Sequence, residues 1–76
     1  MRAVPSAYLQ ILSSRVLLSL DDLAEAITEY KRLLTVPNVD YEECGRQRLA
    51  IEKHALNFMA LHKLFLDALS HVMPSN

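Results

Sequence analysis

The 76-residue sequence has one glycine, one cysteine, no tryptophan and a formal net charge of −1. Gly45 as the single glycine excludes a glycine-rich loop that would cradle a phosphate group. Cys44 has no second cysteine in the chain to pair with, which favours a reducing compartment such as the cytoplasm. The few Lys and Arg residues form no cluster, so the composition argues against binding to nucleic acid.

Catalytic and metal-binding patterns are also missing from the sequence. The three histidines, His54, His62 and His71, are eight and nine residues apart. A helical metal site needs ligands three or four residues apart, and neither HExxH nor a pair of CxxC motifs occurs. We therefore predict a protein that is not an enzyme and that holds no metal and no cofactor.

Two helix start signals and one stop signal divide the chain. Ser19 followed by Asp22 forms a capping box, which predicts a helix over residues 20–34. Pro37 ends this helix because it disfavours the helical conformation at Val36. A second capping box begins at Asp40 and predicts a long helix over residues 41–72.

Heptad spacing of apolar residues predicts that these two helices pack together. In the first helix the predicted packing stripe alternates spacings of three and four residues, through Leu20, Leu23, Ile27, Tyr30 and Leu34. In the second helix the stripe recurs every seven residues, with two residues of the same face between, and comprises Cys44, Ile51, Ala55, Phe58, Phe65, Leu69 and Val72. A connection of about five residues makes an antiparallel pair the natural arrangement.

The predicted fold class is all-α: an antiparallel helical hairpin in one domain over residues 1–76. An N-terminal helix over residues 6–18 is also predicted, and it either stands alone or continues into the helix at 20–34. Leu9 and Val16 continue the heptad of that helix, which favours one long arm, whereas the Ser19 cap favours a break. Every uninterrupted apolar run is far shorter than the roughly 18 residues that a membrane span requires.

The last helix carries more apolar residues than its hairpin neighbour can cover. Leu49, Leu56 and Met59 lie about 100–180° around the helix from Phe58, while Leu61, Leu64 and Ala68 lie on the other flank. An apolar surface of this kind favours docking of another helical protein or of a second copy of the chain, with a fully buried three-helix core as the alternative. The predicted partner-binding residues are Leu49, Leu56, Met59, Leu61, Leu64 and Leu66.

One stretch of the sequence, about residues 20–65, resembles a known family. The resemblance lies in L-A-E-A-I-T-E-Y-K-R-L-L at residues 23–34, in the short polar connector with Pro37, and in the segment from Tyr41 through Gln47 to Glu52. This stretch is similar to the small E-type (YscE-like) co-chaperones of bacterial type III secretion needle subunits. The N-terminal apolar segment over residues 6–18 is longer and more hydrophobic than that family leads us to expect.

The resemblance implies a protein of the bacterial cytoplasm that binds and stabilises a tetratricopeptide-like chaperone. That chaperone in turn holds the needle subunit before export. The resemblance also implies homodimers when the partner is absent. No membrane binding is predicted, because the polar face of residues 6–18 carries only Arg15 where a basic stripe would be expected. The alternative is a homodimeric helical-hairpin regulatory protein that binds another protein.

Overall fold

The computed structural model describes residues 5–72 and shows two helices, α1 (Ser6–Thr35) and α2 (Tyr41–Val72), packed against each other as an antiparallel hairpin. The predicted all-α hairpin is confirmed, and α2 has the predicted bounds. The chain directions follow from two contacts: Gln47 near the start of α2 reaches Ala26 of α1, and Asn57 further along reaches Ser19.

The first arm of the hairpin is one continuous helix of 30 residues, so of the two arrangements that the sequence left open, the single long arm is the one observed. Ser19 is the reason, because it lies in the middle of α1 with only 4% of its surface exposed. Its hydroxyl oxygen accepts a hydrogen bond from the side-chain amide of Asn57 at 3.2 Å. A contact with a residue far along the chain has therefore replaced the local capping bond that the sequence indicated.

The connection between the helices follows the local signals. Val36 leaves the helical conformation, with φ −79° and ψ 152°, as expected for the residue before Pro37. The Asp40 carboxylate accepts hydrogen bonds at 3.1 Å from the backbone amides of Glu42 and Glu43, which caps α2 as predicted. Both helix ends at the bend are thus fixed by residues within the bend.

We call the contact between the helices the seam. Its residues are all buried or half-buried and alternate spacings of three and four along each helix. In α1 the seam comprises Leu9, Leu12, Val16, Ser19, Leu23, Ala26, Tyr30 and Leu33. In α2 it comprises Cys44, Gln47, Ile51, His54, Phe58, Leu61, Phe65 and Ala68, and the Val72 side chain predicted to join it lies outside the described part.

Of the five residues in the predicted stripe of α1, two are confirmed as packing residues. Leu23 and Tyr30 do lie in the seam, but Leu20, Ile27 and Leu34 are 42%, 50% and 47% exposed. Their places are taken by the residues one position earlier, Ser19, Ala26 and Leu33. Small residues at a helix contact let the two backbones approach, and here the Ala26 carbonyl accepts a hydrogen bond at 3.0 Å from the side-chain amide of Gln47.

The predicted stripe of α2 is confirmed at Cys44, Ile51, Phe58 and Phe65, while Ala55 and Leu69 are half-buried beside it. Two residues predicted to lie on an outer flank belong to the seam instead. Leu61 is half-buried and Ala68 is only 9% exposed. They complete the alternating three-and-four spacing of the seam, in which Phe58 and Phe65 alone mark only every seventh position.

The hairpin is long and thin, with extents of 59 × 18 × 16 Å. Its radius of gyration is 17.3 Å, whereas a globular chain of this length would have about 11 Å. Neither of its two helices is long and apolar enough to cross a membrane, considering the residues that the structure describes. Two helices side by side leave most of each helix surface without cover.

Candidate partner-binding surface

One broad side of the hairpin carries most of its polar groups towards the bend and exposes Ile11, Leu18 and Leu64 further along, and we call it the cleft side. Two adjoining clefts run along it between the helices. The first is lined by Asp22, Glu25, Ala26, Glu29, Gln47 and His54, and the second by Arg15, Leu18, Ser19, Asp22, Asn57 and Leu61. Because residues of both helices line each cleft, these clefts show which positions of α1 and α2 face the same way.

Two pairs of charged side chains on and near the cleft side form hydrogen bonds within one helix. The Glu29 carboxylate accepts a hydrogen bond at 2.9 Å from Nε of Arg32, and this bond lowers the pKa of Glu29 and raises that of Arg32. Glu43 accepts in the same way from Arg46 and raises the pKa of Arg46. These exposed pairs stabilise the helix surface and need no external ligand.

The opposite broad side carries exposed apolar residues on both helices, and we call it the apolar side. On α1, Leu20 lies about 200° around the helix from Asp22 of the cleft, and on α2, Met59 lies about 200° from Asn57. The members of the apolar side are Leu17, Leu20, Ala24, Ile27 and Leu34 of α1 with Ala55, Met59 and Leu66 of α2. Its α1 residues keep heptad spacing, and each follows a seam residue by one position in the sequence.

The six predicted partner-binding residues do not form one surface. Met59 and Leu66 lie on the apolar side, 63% and 49% exposed. Leu49 and Leu56 are 65% and 67% exposed and lie next to Met59, on the edge of α2 that points away from α1. The other two lie elsewhere: Leu64 is half exposed on the flank towards the clefts, and Leu61 is part of the seam.

The sequence analysis missed the α1 half of this surface because it assigned Leu20, Ile27 and Leu34 to the hairpin core. A signal for the exposed stripe was present. Leu17, Ala24 and Ile27 continue a three-and-four spacing with Leu20, directly beside the stripe that contains Ser19 and Ala26. Two adjacent heptad stripes on one helix indicate one internal contact and one further apolar face.

The side chains that could ligate a metal are dispersed over residues 5–72. No group of three or more His, Cys, Asp or Glu residues there could hold a metal ion. Cys44 is a buried seam residue, as predicted, with 6% of its surface exposed. His62 stacks on Phe58 with ring centroids 5.5 Å apart, so its ring extends the apolar cover of the seam.

Comparison of the chain with protein-family models, with curated proteins and with solved structures finds no match.

Proposed function

We propose that the chain is a co-chaperone that binds and stabilises a tetratricopeptide-like chaperone, which holds a type III secretion needle subunit in the bacterial cytoplasm before export. The observation that carries this proposal is the apolar side, where two parallel rows of exposed aliphatic residues lie on adjacent helices. The resemblance of about residues 20–65 to the YscE-like family supplies the kind of partner. Those residues include the bend of the hairpin with its capped connection.

The geometry suits a partner built of helix pairs. Tetratricopeptide-like repeats stack helix pairs so that each pair covers its neighbours, and the pair that ends a stack needs an apolar inner face and a polar outer face. An antiparallel hairpin with one apolar side has the form of one more such pair. The cleft side, with Asp22, Glu25 and Glu29, would then face water.

Within this proposal the apolar edge of α2 contributes the anchoring side chains. Leu56 and Met59 are neighbours on one helix surface and are each more than 60% exposed. Large apolar side chains that become fully covered carry much of the free energy of association at protein interfaces. Leu49 and Leu66 extend the same surface along the helix in the two directions.

The test is co-purification with defined proteins. The full chain is co-expressed with a tetratricopeptide-like needle chaperone and its needle subunit, and the purified complex is weighed by light scattering. We expect a ternary complex with the wild type and at least about tenfold weaker binding for Leu56→Glu/Met59→Glu, because two charges would be buried without partners. Leu18 lines a cleft, and Ile11 lies seven residues before it on the same face of α1. The matched control Ile11→Glu/Leu18→Glu therefore adds the same charge on the cleft side and should bind like the wild type.

Absence of a complex with the wild type, or equal binding by both double variants, would contradict the proposal. Circular dichroism of each variant checks that the helices persist, because loss of the fold would weaken binding for another reason.

A further inference from the structure

We propose that α1 rolls about its own axis between two packings on α2, of which the structure shows the favoured one. In the second packing Leu20, Ile27 and Leu34, which are exposed in the structure, turn into the seam and leave the apolar side. The roll takes place within one chain and controls access to the apolar side for any partner, so the inference goes beyond the proposed secretion role and does not rest on it.

The first observation is that α1 carries two complete packing stripes that share every seventh residue. The shared residues are all half-buried: Leu9, Val16, Leu23 and Tyr30. The observed seam completes its stripe with Leu12, Ser19, Ala26 and Leu33. The residues one position later alternate with the shared residues at spacings of four and three: Ser13, Leu20, Ile27 and Leu34. One position corresponds to about 100° around a helix, so exchanging these residues shifts the centre of the contact by about 50°.

The second observation is that the two ends of α1 favour different stripes. Towards the bend, the roll would replace two small seam residues by the larger Leu20 and Ile27, which are 42% and 50% exposed in the observed packing. Burying these two side chains favours the second packing. Towards the other end, the roll would replace Leu12, which is 6% exposed, by Ser13, and this exchange favours the observed packing. The two ends offset each other, so the free energies of the two packings lie close together.

The third observation is that two hydrogen bonds hold α1 in the observed packing. The side-chain amide of Asn57 donates to the Ser19 hydroxyl at 3.2 Å, and that of Gln47 donates to the Ala26 carbonyl at 3.0 Å. Both acceptors belong to residues that leave the seam in the roll, so both bonds must break. The two amides line clefts that are open to solvent, where water can take the place of each acceptor. We call this pair of bonds the latch, since it stabilises the packing that exposes the apolar side.

The roll would regulate the apolar side through the populations of the two packings. A partner that contacts Leu20 and Ile27 binds only the observed packing, so its apparent affinity is reduced in proportion to the fraction of chains that hold this packing. The latch residues Asn57 and Gln47 would thus affect binding to the apolar side although they lie beside the clefts.

The experiment is methyl NMR of the full-length chain with a soluble paramagnetic agent, which relaxes exposed methyl groups faster than buried ones. The three isoleucines report on three places: Ile27 on the apolar side, Ile51 in the seam and Ile11 on the cleft side. In the wild type we expect Ile27 and Ile11 to relax at similar rates, because they are 50% and 55% exposed. In the latch variant Gln47→Ala/Asn57→Ala, Ile27 should relax at least about twofold more slowly than Ile11, because loss of the two bonds shifts the population to the second packing. Ile51 should stay protected in both proteins.

The control Gln10→Ala removes an exposed side-chain amide outside the seam and should leave the ratio of the two rates as in the wild type. Equal relaxation of Ile27 and Ile11 in the latch variant would overturn the proposal. Protection of Ile27 that disappears on dilution would also overturn it, because the protection would then come from contact between two chains.

Circular dichroism checks that the latch variant keeps its helices. If it does not, Asn57→Ala alone replaces it, and we expect a smaller slowing of Ile27 in the same direction. A folded Asn57→Ala with no slowing of Ile27 overturns the proposal in the same way.

Discussion

The two broad sides of the hairpin are made by the same two helices but carry different chemistry. On the cleft side, carboxylates and amides lie beside the seam, and the Glu29 and Arg32 side chains bond to each other. On the apolar side, the positions opposite these carboxylates carry leucine and isoleucine, which residues 5–72 leave exposed. The difference teaches that small and polar side chains can fill the contact between two helices while larger aliphatic side chains stay exposed.

The seam itself makes this possible. Ser19 and Ala26 are small enough to bring α1 close to α2, and the amides of Asn57 and Gln47 hold the two helices in register. Had Leu20 and Ile27 filled the contact, less apolar surface would remain outside. The predictions below compare the seam with the exposed sides, beginning with the largest expected effect.

Replacing Leu12 by alanine tests the seam most strongly. Leu12 is 6% exposed, and its truncation should lower the free energy of unfolding by about 2–5 kcal/mol through lost burial and a cavity. The neighbouring Ile11 is 55% exposed on the cleft side, so Ile11→Ala should change it by less than about 1 kcal/mol. Urea unfolding at one fixed chain concentration measures both, and equal losses would place Leu12 outside the seam.

Enlarging Ala26 tests whether the seam depends on a small residue. Ala26→Leu should destabilise by about 1–3 kcal/mol, because the new side chain forces the helices apart where Gln47 bonds to the Ala26 carbonyl. The control Ala60→Leu adds the same side chain at an exposed position of α2 and should be nearly neutral. Thermal unfolding compares the two, and a neutral Ala26→Leu would show that the helices are not in close contact there.

Removing the Ser19 hydroxyl tests the polar link between the helices. Ser14→Ala is the reference, because it gives the same gain in helix propensity at an exposed site. Relative to it, Ser19→Ala should lower the free energy of unfolding by about 0.5–1.5 kcal/mol. A double-mutant cycle with Asn57→Ala isolates the interaction between the two side chains. A coupling energy of zero would mean that this bond does not hold the register.

The smallest effect concerns the cleft side and pH. Because Arg32 lowers the pKa of Glu29 in the folded chain, the stabilisation is present above the unfolded pKa and is lost as pH falls through the folded pKa. The Tm of Glu29→Gln should therefore decrease slightly less than the Tm of the wild type when the pH is lowered from neutral to acidic. The pair is exposed, so the difference is small. A larger acid loss in Glu29→Gln would show that the pair opposes folding.

Local signals predicted the bend and the second helix correctly. The Asp40 cap and the stop before Pro37 depend on residues within a few positions of each other, and these relations survive in the fold. The same logic offered Ser19 as a helix start, against the alternative of one continuous arm, and the continuous arm is observed. The Ser19 hydroxyl bonds to Asn57, a residue 38 positions away whose proximity no local pattern reveals.

The choice between the two stripes of α1 could not be made from periodicity. The stripe with Ser19 and Ala26 and the stripe with Leu20 and Ile27 are offset by one residue and have the same spacing. Hydrophobicity favoured the second, whereas close packing and hydrogen bonds to Asn57 and Gln47 selected the first. The candidate surface was therefore predicted on α2 at Leu49, Leu56, Met59 and Leu66, and its α1 half became evident only from the packing.

The most direct measurement is hydroxyl-radical footprinting of the wild-type chain in the presence of a tetratricopeptide-like needle chaperone and its needle subunit. Leu17 and Leu18 are neighbours that a single hairpin exposes almost equally, at 61% and 64%. Leu17 lies on the apolar side and Leu18 lines a cleft. We expect Leu17 and Ile27 to be modified several-fold more slowly than Leu18 and Ile11. Equal modification of the four side chains would contradict the account, because the apolar side would then be uncovered.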